Sequence, residues 1–120
     1  MEQDDKTLLD TITKAIQDKM GHGIVIADFN KINNVMCKYF VICHGNSNIQ
    51  VDAIAGSVSD ATREKLGTKA IGVNGLDNCI WVAIDYGNIM VHIFQPEART
   101  FYDLEHLWED AILTEIPEEF

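Results

Sequence analysis

Four histidines, three cysteines and nineteen carboxylates are the side chains of this 120-residue sequence with which a reaction or a metal site could be built. Metal binding asks for ligands at a fixed pitch, such as i and i+4 on one helix or Cys-x-x-Cys at a turn. His22, His44, His92 and His106 share no such spacing with each other or with Cys37, Cys43 and Cys79, so no metal and no cofactor are expected. Paired carboxylates can hold a divalent cation for phosphoryl or nucleotidyl transfer. Asp28 and Asp85, each near the end of a strand-like run, are the best pair, but neither belongs to an Asp-x-Asp on one strand. Gly45-Asn46-Ser47 stands at a strand-to-helix turn, where main-chain N–H groups can cradle a phosphate. It lacks the Gly-Lys-Ser/Thr of a phosphate loop and the spaced glycines of a dinucleotide site, and Ser47 is accounted for as a helix cap. An enzyme using Mg²⁺ on Asp28 or Asp85 is therefore only the alternative.

Recognition fits the residues better. The segment from Cys79 to Glu109 holds both tryptophans, two strand-like runs, a tight turn, a proline break and a cluster of acids. Its core is the pair of runs around Tyr86-Gly87-Asn88. Ile80, Val82 and Ile84 alternate with Trp81, Ala83 and Asp85; Ile89, Val91 and Ile93 alternate with Met90, His92 and Phe94. A two-residue loop at Tyr86-Gly87 pairs Trp81 with His92, and one at Gly87-Asn88 pairs Trp81 with Phe94 and Ala83 with His92. Both keep Trp81, Asp85, Met90 and His92 on one face, because slipping the loop by one residue moves the partner by two; only a three-residue loop breaks this. The aliphatic face must be core. The Trp/Asp/His face is free to be covered by a helix or offered to a partner.

Composition narrows the partner. At 120 residues the chain suits one domain, large enough to bury about two-thirds of the surface its unfolded form exposes. A net charge of −10 argues against a direct grip on nucleic-acid phosphates, which needs clustered Lys and Arg, and favours a basic partner or simply high solubility. Residues 97–120 alone carry eight acids against Arg99, a net of −7. Three cysteines without Cys-x-x-Cys spacing signal neither a disulfide framework nor zinc, and suit a reducing compartment. The acidic start MEQDDKTLLD resembles neither a signal nor a transit peptide, and no apolar run approaches the ~20 residues that span a bilayer. A cytoplasmic location, without membrane or nucleic-acid contact, is the expectation.

The elements that must position this face follow from periodicity. Leu8, Leu9, Ile12, Ala15, Ile16 and Met20 form a helical stripe behind Asp4 and Asp5, with Gly21 as its stop. His22 then sits in a Gly-His-Gly turn, expected to be exposed and without a role. GIVIADF (23–29) and YFVICHG (39–45) are strands, joined by the polar run Asn30 to Asn34. Ser47 caps a second helix to Leu66, closed by Gly67, with Val51, Ile54, Ala55, Val58, Ala61 and Leu66 as its stripe. A strand at KAIGV (69–73) completes a right-handed crossover, and NGLDN (74–78) is a loop. After Pro96, Thr100 with Asp103 predicts a helix carrying Leu104, Leu107, Trp108, Ala111 and Ile112. Pro117 predicts the end of order, leaving the final EEF loose, and about residues 113–120 are expected as a loose acidic tail. One α/β domain over residues 1–120, with a mixed, mostly five-stranded sheet flanked by helices, is the expected fold.

Four stretches together resemble the ribosomal silencing factor, or Iojap-like, family: VICHGNSNIQVDAIA (41–55), IGVNG (71–75), WVAIDYGNIMVHIF (81–94) and RTFYDLEHLW (99–108). The resemblance runs in register over about residues 8–112. It implies a nucleotidyltransferase-like fold without the catalytic carboxylates, and no enzyme activity. It also implies a bacterial translation repressor that binds the large ribosomal subunit at the basic ribosomal protein L-fourteen and blocks joining of the two subunits. Trp81, Asp85, His92, Tyr102 and Glu105 are carried over by position as partner contacts, and a homodimer in the free state is implied for some members. Lys38, Ile49, Asn74 and Asn88 depart from the family, which often has an acid, an arginine, a glutamate and an aspartate there. A homodimeric interaction module remains a further alternative.

Overall fold

The structure, a computed structural model, describes residues 4–32 and 37–118; part of the polar run after Asn30 and the last two residues of the expected tail lie outside them. Helix α1 spans Asp5–Asp18 and starts where the Asp4 carboxylate accepts the Thr7 N–H at 2.7 Å. That bond satisfies one of the N–H groups a helix start leaves open. Leu8, Ile12, Ala15 and Ile16 face the core. Met20 does not: it lies beyond the helix end with a φ of 57° and stays 58% exposed. Helix α2 spans Asn48–Leu66, with the Ser47 hydroxyl accepting the Gln50 N–H and Gly67 closing it in the left-handed region. Both ends fall where the sequence puts them. Its stripe buries Val51, Ile54, Ala55 and Val58, and also Thr62, whose hydroxyl donates to the Val58 carbonyl and meets the Tyr86 hydroxyl at 2.8 Å.

The sheet has six strands: β1 His22–Asp28, β2 Tyr39–His44, β3 Gly72–Asn74, β4 Trp81–Asp85, β5 Ile89–Phe94 and β6 Ile112–Glu115. Their order is β3-β4-β5-β2-β1-β6, with β2 and β5 parallel and every other neighbouring pair antiparallel. The crossover through α2 thus lands three strand positions from β2, because the β4–β5 hairpin fills the two positions between. Helices α1 and α2 cover one face. Val41, Cys43, Val82, Ile84, Ile89, Val91 and Ile93 rise from that face to meet Ile12, Ile16, Ile54 and Val58. Burial holds the Cys43 thiol neutral, pushing its pKa up to about 12.

The C-terminal quarter departs from expectation. The helix begins earlier and ends sooner: α3 spans Pro96–Tyr102, with proline in the first turn, where its missing N–H costs nothing. Asp103, at φ 47°, stops it in the left-handed region. A 3₁₀ turn at Leu104–His106 follows, and then β6 pairs with β1 from Val25–Glu115 to Asp28–Ile112. The spacing of Leu104, Leu107, Trp108, Ala111 and Ile112 does fit a helix. Two tertiary demands override it: the outer edge of β1 needs backbone partners, and Phe29 and Phe40 take the Trp108 ring at 5.0 and 5.5 Å. Residues 112–115 are therefore an edge strand rather than a loose tail, and Glu118 is hydrogen-bonded to His22.

Candidate functional site

Register decides which side chains share the second sheet face. Trp81 stands opposite Phe94, Ala83 opposite His92 and Asp85 opposite Met90. The loop is Gly87-Asn88, closed by the Tyr86 N–H donating to the Ile89 carbonyl at 2.9 Å. Gly87 has a φ of 88°, which the first central position of such a turn demands and which a side chain would strain. On this face Trp81 stacks on Phe94 with ring centroids 5.0 Å apart, and Tyr102 closes over Trp81 at 4.7 Å. The Trp81 indole N–H donates to Nδ1 of His92 at 3.0 Å. His92 is 4% exposed, and its edge-to-face neighbour Phe40 lies 4.4 Å away. With Nδ1 accepting, the ring proton sits on Nε2, which has no hydrogen-bond partner among the described residues. Burial alone pushes the His92 pKa down to about 4, so the ring is neutral at physiological pH.

Above this aromatic layer the surface opens. Phe101 is 80% exposed and Tyr102 about half exposed. A shallow hollow lined by Pro96, Glu97, Thr100 and Phe101 adjoins them. Phe101 and Tyr102 stand edge to face with ring centroids 5.0 Å apart, and Glu97 lines the same hollow as Phe101.

The base of α3 is held by charge. Arg99 donates from Nε and Nη2 to the two Glu105 carboxylate oxygens at 3.2 and 2.7 Å, and from Nη1 to His44 Nδ1 at 2.9 Å. Both partners of the Arg99–Glu105 pair are 13% exposed. Burial, then the Arg99 charge, then His22 lower the His44 pKa, so His44 stays a neutral acceptor. Gly23 lies beneath: at φ 59°, a Cβ there would come within 2.6 Å of the Arg99 Nη1. Next to it His22 bonds Glu118 through Nδ1 at 3.1 Å and Asn46 through Nε2 at 3.3 Å. The His22 bond and then the Gly23 N–H lower the Glu118 pKa. His22 is half-buried and built into the fold, contrary to the exposed turn expected of it.

Of the five residues carried over as contacts, the structure brings Trp81, His92 and Tyr102 together. His92 is interior and acts on the surface only through Trp81. Glu105 spends its carboxylate on Arg99. Asp85 stands at the other end of β4, about 13 Å along the strand from Trp81, where it caps the hairpin by accepting the Gly87 N–H at 2.7 Å. Phe101, in edge-to-face contact with Tyr102 at 5.0 Å, was missed; its signal was its place next to Tyr102, outside the helical stripe. The alternative carboxylate pair does not converge. Asp28 and Asp85 lie three strand spacings apart, roughly 14 Å. They also rise from opposite faces, and each accepts a main-chain N–H two residues on. Among the described residues no three His, Cys, Asp or Glu side chains gather as metal ligands.

Fold and surface together define a six-stranded mixed α/β domain whose second sheet face carries a partly exposed aromatic cluster, Trp81, Phe94, Tyr102 and Phe101. The family model described as ribosomal silencing factor during starvation matches residues 2–119, and the chain belongs to that family. It is 38% identical over 111 residues to the ribosomal silencing factor of Bacillus subtilis, covering 92% of both chains. It is 34% identical over 80 residues to the chloroplastic protein Iojap of Zea mays, which covers 67% of this chain and 34% of that one. A crystal structure from Chromobacterium violaceum superposes with a TM-score of 0.84 at 30% identity, covering 89% and 88% of the two chains. No helix among the described residues is long and apolar enough to cross a membrane.

Proposed function

We propose that this protein is a non-catalytic, cytoplasmic translation repressor. It binds the large ribosomal subunit through a basic ribosomal protein, L-fourteen, and sterically blocks joining of the small subunit. Membership of the silencing-factor family supports the ribosomal role. The observation that carries the contact is the exposed Phe101–Tyr102 pair, with Glu97 beside it and the cation nearest in sequence, Arg99, already paired. An apolar centre with an acidic rim suits a basic partner: the aromatics supply affinity and the acids steer approach. Trp81 and Tyr102 are the anchors, His92 and the Arg99–Glu105 pair are positioning residues, and Asp85 shapes the hairpin. The exposed apolar centre also suits a homodimer in the free state, which partner binding would have to displace.

Binding of isolated L-fourteen tests the contact. Phe101→Ser and Tyr102→Ala together should weaken it at least about tenfold while leaving the melting temperature within a few degrees. Undiminished binding by a folded double variant would refute the assignment of this surface.

A further inference from the structure

The two-helix layer does not reach across the whole sheet. Helix α1 packs over β2, and α2 over β4 and β5, and the edge strand β3 is left only partly covered. Val73 is 38% exposed there, on the face that its strand neighbour Ile84 buries under α2. Two adjoining hollows occupy the gap. One, of about 220 Å³, lies between Asp52, Ala55, Gly56 and Ser59 of α2 and Val73 and Leu76. The other, of about 280 Å³, includes Ile49 and Asp77. Their apolar walls are unusually open, Ile49 at 78% and Leu76 at 49% exposure. Neither lining contains a cation, and Asp52 and Asp77 enter no ion pair among the described residues.

Gly56 sharpens the picture. It sits in the ninth position of a nineteen-residue helix, where glycine costs about 1 kcal/mol against alanine. Its own fold makes no use of the space, since a Cβ there would meet nothing within 4 Å. A strand edge supplies main-chain groups, the hollow supplies room for an aliphatic side chain, and two carboxylates outside any ion pair, Asp52 accepting the Cys79 thiol at 4.0 Å, supply sites for flanking cations.

We propose that this cleft is a second docking surface, on the opposite sheet face from Tyr102, for an extended basic segment of a partner protein. The segment adds alongside β3, lays an aliphatic side chain between Leu76 and Gly56, and sets Lys or Arg on Asp52 and Asp77. A second copy of this chain fits less well, because its net charge of −10 would meet the same carboxylates.

The probe is a capped hexapeptide of alternating lysine and leucine, with the alternating glutamate–leucine peptide as its counterpart. Titration into the intact protein is followed by amide NMR. The lysine peptide should shift Asp52, Gly56, Val73, Asn74 and Leu76, and the glutamate peptide should not. Gly56→Gln, which the open space tolerates, should weaken binding at least about tenfold, as should Asp52→Asn with Asp77→Asn. The Phe101→Ser, Tyr102→Ala protein should bind the peptide as the wild type does, separating this cleft from the ribosome-facing surface. Unaltered affinity in Gly56→Gln, shifts confined to the Tyr102 face, equal binding of both peptides, or a dimer that occupies the cleft would each overturn the proposal.

Discussion

Acidification should destabilise this protein through His92 before its exposed carboxylates matter. In the fold the imidazole is enclosed by Trp81, Phe40 and Phe94, with burial as the cause of a pKa pushed down to about 4. In the unfolded chain it returns to about 6.5. Below pH 6.5 the unfolded state therefore takes up a proton that the folded state refuses. The contribution to stability is complete above about 6.5 and is lost progressively as the pH falls to about 4. At 1.36 kcal/mol per pH unit the loss comes to about 3 kcal/mol, a large share of the 5–15 kcal/mol typical of a domain. Protonation also abolishes the acceptor for the Trp81 indole N–H, so the aromatic surface loosens with it. The assay is denaturant unfolding, followed by tryptophan fluorescence at intervals between pH 7 and 4, on the wild type and on His92→Gln. Glutamine keeps a carbonyl to receive the indole N–H but does not titrate. His44, also depressed, loses stability in the same direction, and His106, raised by Asp103, opposes it. Both are present in the two proteins and cancel in the comparison. The wild type should lose about 3 kcal/mol more than the variant over this range. Parallel pH profiles would refute the account of His92 as a buried neutral acceptor.

Arg99→Ala strands Glu105 in a 13% exposed site and should cost about 3 kcal/mol or more in unfolding free energy; Arg99→Lys should recover only part, because lysine cannot reproduce the two-pronged bond. Trp81→Phe leaves His92 Nδ1 without its donor and should cost about 1–3 kcal/mol by the same measurement. Glu97→Lys should weaken association with L-fourteen several-fold at low salt and much less at high salt. Asp85→Lys, about 13 Å from Trp81 along β4, should leave that salt dependence unchanged.

Local rules were enough for the parts of the fold that local rules govern. Helix α2 runs from its Ser47 cap to its Gly67 stop as the residue types dictate, and the hairpin takes one of the two registers that alternation permits. That parity put Trp81 and His92 on one face. It could not say that His92 would be sealed beneath Phe40 or that Tyr102 would close over Trp81, because those contacts join residues far apart in sequence. The segment after Tyr102 shows the limit most clearly. Its apolar spacing is helical, but the outer edge of β1 needs pairing and the hole beside Phe29 needs a ring. Both demands are invisible until the sheet order is known. Glu105 and His22 looked like a free acid and a bare turn for the same reason: their partners, Arg99 and Glu118, reach them only in the folded chain.

Subunit joining provides the most direct measurement of the central claim. Purified large and small ribosomal subunits, mixed with increasing amounts of this protein, are resolved by sedimentation. The joined particle should decline as the protein rises, with the protein travelling on the large subunit alone, and the Phe101→Ser, Tyr102→Ala protein should leave joining intact. Undiminished joining at saturating wild-type protein, or equal repression by the double variant, would contradict the account.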